Sequence, residues 1–244
     1  MTPYKQRLYD AYVSSGQGSL PANTAALPEM LFKTNRPYVD SIIRPLLPTD
    51  KMAAIVDLGC GNGCFIYFFK KYGYLNLVGI DASAEQVKVA NELGLQEVRQ
   101  GHIHQFLTAH KESKDVFLLM DVIEHLTVQE TFDLLDLVHS QLKPGGKLIM
   151  HVPNAEGLFG MRIRYGDLTH EQCFTTTSVQ QLLKTVGFNA IICKEEKPVV
   201  HGLISLLRRV IWELGTLNYR LLLLAETGLT GSILSQNMLV VATK

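Results

Sequence analysis

Three glycines in one short turn constrain this chain more than any other feature of its sequence. Residues 53–56 form an apolar run of the kind found in a strand that is covered on both faces. Asp57 ends this run, glycine follows at Gly59, Gly61 and Gly63, and a helical pattern begins directly after them. Because glycine tolerates positive φ and has no Cβ, a ligand can lie against the backbone of such a turn. We therefore predict a strand–turn–helix unit that binds a ligand.

The sequence beyond this turn repeats the alternation of strand and helix. Short apolar runs separated by helical patterns are typical of βαβ units and of a parallel sheet. The predicted second strand ends in Asp81, and the predicted fourth strand, 116–120, is followed by Asp121. Because ligands bind at the carboxyl ends of the strands in such sheets, we expect Asp57, Asp81 and Asp121 to lie on one rim.

Composition excludes several classes of protein. The 244 residues suffice for one large α/β domain, and 47% of them are hydrophobic, which excludes wholesale disorder. Lys plus Arg and Asp plus Glu both number 23, so no net charge favours a nucleic-acid partner. The four cysteines have neither zinc-ligand spacing nor the pattern of a disulfide framework. The amino-terminal segment lacks the apolar core of a signal peptide. We expect a cytoplasmic protein with reduced thiols and without a metal.

The glycine turn and Asp81 together resemble motif I and the following acidic residue of the class I S-adenosylmethionine (SAM) dependent methyltransferases. The segment Asp121-Val-Ile-Glu-His-Leu126 and the turn at 144–146 extend this resemblance, which covers roughly residues 36–195 and the last strand. It implies SAM as the cofactor and a doubly wound, seven-stranded, mostly parallel sheet of the Rossmann-like type, with the last strand inserted antiparallel. It places the cofactor against Asp57, Gly59, Gly61, Asp81, His102, Ile103 and Asp121. The family usually has an aspartate at the place of His102.

The chain divides into two predicted parts. Residues 1–50 form an amino-terminal helical cap, with helices expected over 4–14 and 36–47. Residues 51–244 form the methyltransferase domain, with a helical insertion at about 197–232 before the last strand.

Two histidines are the candidate catalytic residues. If the acceptor is a hydroxyl, a base must take its proton, and His125 and His170 both fall in predicted rim loops. The alternative is that His125 only shapes the cofactor pocket and that a hydrogen bond of His170 only holds its loop in place. His151, at the end of the fifth strand, is a third candidate base.

Contacts to the acceptor are expected in the long loop after the fifth strand. Loops carry function disproportionately, and this loop has a dense set of polar residues. The candidate substrate-binding residues are Asn154, Arg164, Tyr165, Asp167 and Glu171.

The acceptor is indicated by a narrower resemblance. Asp121-Val-Ile-Glu-His-Leu, His151-Val-Pro-Asn and Tyr165-Gly-Asp-Leu-Thr-His-Glu-Gln-Cys-Phe-Thr are similar to segments of methyltransferases of bacterial surface-polysaccharide (O-antigen or capsule) biosynthesis. This implies O-methylation of a sugar hydroxyl on a surface glycan or its lipid-linked precursor. Two alternatives stay open: a small phenol or quinone precursor as acceptor, and a non-catalytic SAM-binding subunit that docks a partner protein through residues 199–224.

An apolar stripe runs along the predicted insertion. Leucine, isoleucine and valine recur at helical spacing from Leu203 to Leu221, and Arg208, Arg209, Glu213 and Arg220 interrupt any run long enough to span a membrane. Periodicity alone leaves three placements for this stripe: on the core, in a homodimer interface, or on the inner membrane face as a peripheral contact.

Overall fold

A computed structural model describes residues 7, 8 and 28–244 of the chain. Within 28–244, seven strands form one sheet in the order β3-β2-β1-β4-β5-β7-β6. The strands are β1 Ile55–Leu58, β2 Leu77–Asp81, β3 Val98–Gln100, β4 Lys114–Met120, β5 Leu142–Pro153, β6 Asn189–Glu195 and β7 Asn237–Thr243. The main helices are α1 Cys64–Lys71, α2 Ala84–Glu92, α3 Ile103–Ala109, α4 Val128–Gln141, α5 Gly160–Arg164, α6 Thr176–Val186 and α7 Leu203–Thr227.

The sheet is parallel except at one strand. β7 runs antiparallel to both of its neighbours, β5 and β6, whereas β1 to β5 pair in parallel. The predicted doubly wound, seven-stranded, mostly parallel sheet is therefore confirmed, including the antiparallel insertion of its last strand. Parallel order brings the carboxyl ends of β1, β2 and β4 to one edge of the sheet, as the predicted rim requires.

The start of β5 differs from the prediction. The sequence predicts a turn at 144–146 and a strand that begins at Lys147, but β5 already begins at Leu142, which pairs with Lys114 across a register shift. Gly145 N–H donates to Lys244 O, and Lys244 N–H donates to Gly146 O. The turn is part of the strand because its backbone groups form hydrogen bonds with Lys244. This contact joins residues that are far apart in sequence, so the local sequence does not predict it.

Hydrophobic cores cover both faces of the sheet. Phe117 and Leu119 of β4 face one core with α4 and α6, whereas Val116 and Leu118 face the other core with α1 and α2. All four side chains are fully buried, which explains the unbroken apolar run of this strand. Burial of each such side chain stabilises the fold by roughly 1.5–3 kcal/mol.

The described part of the predicted amino-terminal cap is a series of short helical turns on the second core. They are Pro28–Leu31, Arg36–Tyr38, a π-helical turn Val39–Ile43 and a 3₁₀ turn Arg44–Leu46. The helix predicted over 36–47 therefore exists but is irregular, and it carries prolines at positions 37 and 45 that cannot donate backbone hydrogen bonds. The helix predicted over 4–14 lies outside the described residues except for Arg7 and Leu8.

The helical insertion is confirmed as α7, but its apolar stripe does not pack on the core. Leu203 is 85% exposed and Leu214 is 67% exposed, and the other leucines, isoleucines and valines of the stripe are also exposed. The buried residues of α7 are the polar Ser205 and Thr216. Of the three placements of this stripe, packing on the core is therefore wrong. None of the helices in the described ranges combines the length and apolar character needed to cross a membrane.

Ion pairs explain why α7 turns its polar side to the domain. Arg220 donates two hydrogen bonds of 2.7 Å to the carboxylate of Glu195 on β6, and Lys197 pairs with Glu213 at 2.9 Å. Arg220 also donates to Ser232 O in the segment that leads to β7. Because these contacts hold the charged side of the helix against the domain, the apolar side faces outward.

Candidate active site at the carboxyl edge of the sheet

The glycine turn joins β1 to α1 as predicted. Gly59 has φ 79° and Gly61 has φ 53°, so both adopt the left-handed conformation that glycine tolerates best. A Cβ on Gly59 would lie 2.6 Å from Val122 Cγ2, whereas one on Gly61 would have no heavy atom within 4 Å. Gly59 is therefore required for packing against the segment after β4, and Gly61 leaves its backbone open to a ligand.

Asp81 fixes the position of this turn. Its Oδ2 accepts a 2.8 Å hydrogen bond from Gly61 N–H, and its Oδ1 accepts one of 2.8 Å from Ser83 N–H. Each oxygen retains lone-pair capacity for a second donor such as a ribose hydroxyl. Gly101 N–H donates to Asp81 O, which brings His102 and Ile103 to the same rim. His102 is exposed and Ile103 is half-buried, so their predicted contacts with the cofactor remain predictions.

Asp57 is a buried carboxyl group that lacks a partner among the described residues. It is fully buried, and neither of its carboxyl oxygens has a hydrogen-bond partner. Burial, reinforced by the charge of Asp81, raises the pKa of Asp57 to about 8. A cation compensates such a group, and SAM carries an ammonium group and a positive sulfur. With the open backbone at Gly61 and the acceptors of Asp81, the residues present thus fit the cofactor that the resemblance implies.

Asp121 follows β4 on the same rim and belongs to a hydrogen-bond network. Two members of this network, Glu196 and Tyr38, were not predicted from the sequence. The Oδ1 of Asp121 is 2.5 Å from His151 Nδ1, and His151 Nε2 is 2.5 Å from Glu196 Oε2. The other carboxylate oxygen, Glu196 Oε1, accepts a hydrogen bond from the Tyr38 hydroxyl. Although burial opposes a charge on the imidazole, Asp121 and Glu196 raise the pKa of His151 well above its ordinary value. Protonated at neutral pH, His151 has no lone pair to offer, so it does not fit the role of a base. No local signal in the sequence links His151 with Glu196 or Tyr38.

Backbone contacts bring the two predicted catalytic histidines together. His125 ends a 3₁₀ turn, Ile123–His125, and His170 lies in the loop before α6; their ring centroids are 4.6 Å apart. Glu171 N–H and Gln172 N–H both donate to Glu124 O, at 2.7 and 3.0 Å. These bonds hold the loop against the turn, so the pair is a product of the tertiary structure.

Hydrogen bonds select the tautomers of both histidines. Thr169 Oγ1 donates to Asp167 Oδ1 at 2.6 Å, so it must accept from His125 Nδ1, which lies 2.7 Å away. His170 Nδ1 is 3.0 Å from Ile163 O, which can only accept. In both rings Nδ1 therefore carries a proton, so Nε2 is the nitrogen that can offer a lone pair.

Burial controls the charges around this pair. Burial, followed by the influence of His170, lowers the pKa of His125 to about 4, so this imidazole is neutral at pH 7. Burial, reinforced by Asp121, raises the pKa of Glu124 to about 8. Glu124 was not singled out by sequence reasoning, although it immediately precedes His125.

The predicted substrate residues have different environments. Asn154 is fully buried, and its amide nitrogen donates to Ile233 O and Ser235 O, both at 2.8 Å. It has no accessible atom for an acceptor, so we correct its assignment to a structural role. Asp167 is also buried and supports His125 through Thr169.

Tyr165 is the most open member of the predicted set, with 74% of its surface exposed. Arg164 lies over its ring at 5.0 Å and donates to Glu171 O at 3.0 Å. These residues border the loop that carries His170, so Tyr165, Arg164 and Glu171 remain predicted acceptor contacts.

Comparisons with known proteins identify the family of this chain. A family described as "Methyltransferase domain" matches residues 31–192. Phosphoethanolamine N-methyltransferase 1 of Arabidopsis thaliana is 28% identical over 152 residues, a match that covers 58% of this chain and 30% of that protein. The matched region is thus a minor part of that relative's length.

Solved structures share the fold. A SAM-dependent methyltransferase from Archaeoglobus fulgidus superposes with a TM-score of 0.63 at 21% identity, covering 97% of this chain and 99% of that one. Phosphoethanolamine N-methyltransferase 2 of Haemonchus contortus, in complex with SAM, superposes with a TM-score of 0.58 at 17% identity, covering 86% of this chain and 52% of that one.

Proposed function

This chain belongs to the methyltransferase domain family and has SAM as its cofactor, and from that premise we propose that it O-methylates a sugar hydroxyl of a bacterial surface glycan or its lipid-linked precursor. The observation that supports oxygen as the acceptor atom is the pair of histidines, His125 and His170. In both rings Nδ1 carries a proton, and the neutral His125 offers an Nε2 lone pair, which suits the binding and deprotonation of a hydroxyl group.

The residues on the rim divide the work. When bound, SAM supplies a methyl group on a positive sulfur, and transfer to a hydroxyl breaks the carbon–sulfur bond, leaves its electron pair on sulfur and releases the hydroxyl proton. Asp57 and Asp81 hold the cofactor, and the backbone at Gly61 lies against it. The histidine pair holds the acceptor oxygen and promotes the loss of its proton. Because the cofactor is already activated, alignment of the acceptor is the main task of the protein.

A lipid-linked acceptor is supported by the outward apolar side of α7. Large exposed apolar patches mark interaction sites, and a helix with one apolar side can lie in a membrane surface. At 1.5 Å per residue, α7 presents an apolar strip about 37 Å long. We propose that this strip, within residues 199–224, contacts the inner membrane face and brings the rim to a glycolipid. A homodimer through the same strip is the alternative outcome of the tests.

The first experiment is transfer of labelled methyl from SAM by the purified chain. The acceptors are bacterial extract fractions that separate glycolipid and polysaccharide, small molecules, and protein. Label in the glycan pool that disappears in a His170→Ala variant supports the proposal. Label only in the small-molecule pool moves the acceptor to a phenol or quinone precursor or to an amine. SAM binding without label in any pool favours a non-catalytic subunit.

A further inference from the structure

A third side chain, Glu124, lies beside the pair His125 and His170. The role of the pair as a base would not require this carboxyl group. One ligand atom from each of Glu124, His125 and His170 lies within 4.8 Å of the others. We propose that these three residues bind a divalent transition-metal ion, and that the ion holds the acceptor oxygen for methyl transfer. The first part stands on the cluster alone, and the second part rests on the proposed function.

Glu124 supplies the first argument. The residue is 1% exposed, and its Oε2 has no hydrogen-bond partner among the described residues. Buried polar atoms nearly always have partners, so an orphaned oxygen on a carboxyl group that lies beside two imidazoles is an anomaly that a ligand would remove. A base mechanism leaves this oxygen unexplained, whereas a cation between the three side chains satisfies it.

The outer contacts of the two histidines supply an independent argument. Metal-binding histidines usually donate the other ring N–H to a carboxylate, a carbonyl or water, which fixes the ring and its tautomer. His170 Nδ1 faces Ile163 O at 3.0 Å, and His125 Nδ1 faces the Thr169 hydroxyl, which in turn donates to Asp167. Both rings therefore direct the lone pair to Nε2 before any ligand binds.

The donor set selects the type of ion. Imidazole suits zinc, iron, nickel and copper, whereas magnesium and calcium prefer oxygen ligands. Two imidazoles and one carboxylate thus favour a first-row transition metal. Three protein ligands leave open positions, as in metal sites that also bind a substrate.

With an ion at this position, the proton of the acceptor hydroxyl passes to water rather than to a histidine. A hydroxyl bound to the ion becomes more acidic, as metal-bound water does, and its O–H bond breaks with the proton passing to solvent water. The oxygen then attacks the methyl carbon of SAM, the carbon–sulfur bond breaks, and its electron pair remains on sulfur. In this form His125 and His170 are ligands rather than proton acceptors.

The test is a titration of the full chain, free of any histidine tag and stripped with a chelator, with Co²⁺ followed by visible absorption and calorimetry. We expect one equivalent to bind and Zn²⁺ to displace it. Loss of an outer contact typically weakens metal binding by about 10- to 100-fold, so His170→Ala and Glu124→Gln, which each remove a ligand, should weaken it by about 100-fold or more. His104→Ala removes an exposed histidine outside the cluster and should leave the affinity unchanged.

The outcomes are distinct. No binding of Co²⁺ by the wild-type chain, or equal binding by His170→Ala and wild type, overturns the proposal. Glu124 is buried, so the folding of each variant is first checked by circular dichroism and by SAM binding. If Glu124→Gln does not fold, the titration of His170→Ala, at a half-buried position, tests the proposal. The titration needs neither SAM nor acceptor, so its failure leaves the methyl-transfer proposal standing. Co²⁺ binding without any methyl transfer would instead overturn the proposed function alone.

Discussion

His125 Nδ1 lies 2.7 Å from the hydroxyl of Thr169, a residue that is itself 2% exposed. Because this hydroxyl donates onward to Asp167, the two bonds fix one tautomer of a histidine on the active rim. Although burial favours a neutral acid, the hydrogen bonds from Thr169 hold the pKa of Asp167 below its ordinary value, so these hydrogen bonds end in a carboxylate.

Replacement of Thr169 by valine should therefore reduce kcat by about 10- to 100-fold, since His125 is no longer oriented. We expect little change in the dissociation constant for SAM, because the cofactor residues are untouched. Thr169→Ser keeps the hydroxyl and should restore most of the rate, which a purely steric role would not predict. Steady-state methyl transfer and calorimetry measure the two quantities; an unchanged kcat in Thr169→Val would remove the orienting role.

Asp57→Asn should stabilise the cofactor-free protein and weaken SAM binding. The folded pKa of Asp57 is raised to about 8 from an ordinary value of 3.8, so the folded state holds a proton that the unfolded chain has lost. Stability of the wild type should fall as pH rises from about 4 to 8, and the advantage of the variant should grow over that window, up to about 5 kcal/mol. Thermal melts at pH 5 and pH 8 without SAM measure it. A variant that is equally or less stable at pH 8 would contradict the prediction.

Arg220→Met should destabilise the attachment of α7 by about 1–3 kcal/mol, because it leaves the carboxylate of Glu195 with a poorer partner. The remaining pair with Lys197, at 3.5 Å, limits the loss. The double variant Arg220→Met with Glu195→Gln should lose less than the sum of the two single changes. Urea unfolding of the four proteins measures this coupling; strict additivity would show that the ion pair does not anchor the helix.

Leu207→Asp combined with Leu214→Asp should abolish binding to vesicles of zwitterionic and anionic lipids while leaving methyl transfer to a soluble acceptor intact. The two side chains are 60% and 67% exposed, so the fold does not depend on them. Leu75→Asp, at a position outside α7 that is 73% exposed, is the matched control and should bind like the wild type. Co-sedimentation and light scattering measure the outcome. A wild-type dimer that ignores vesicles and dissociates in the double variant would assign the strip to a homodimer.

The fold was predictable because its signals are local. The glycine turn of residues 57–63 and the apolar run of β4 each report backbone conformation within a few residues. So do the N-cap residues Ser83, which accepts from Gln86 N–H at the start of α2, and Thr127, which accepts from Glu130 N–H at the start of α4. Parallel order then places the strand-end aspartates Asp57, Asp81 and Asp121 on one edge.

The candidate site was predictable only in part. His125 and His170 could be proposed from their loops, but the bonds from Glu171 and Gln172 to Glu124 O, which bring the histidines together, have no local signature. The burial of Asn154 could not be read from its polar side chain, because it depends on carbonyl groups from the segment before β7.

By itself the sequence determined the order of strands and helices, the glycine turn and the rim of aspartates, because these follow from periodicity, caps and backbone conformation. Only the tertiary structure decided which side of α7 faces outward, which carboxylates flank His151, and that His125 and His170 lie together beside Glu124. Periodicity reveals that a helix has an apolar side, but the side that meets the domain depends on distant partners, here Glu195 for Arg220. Hydrogen bonds and ion pairs between residues far apart in sequence therefore determine the chemistry that the fold presents.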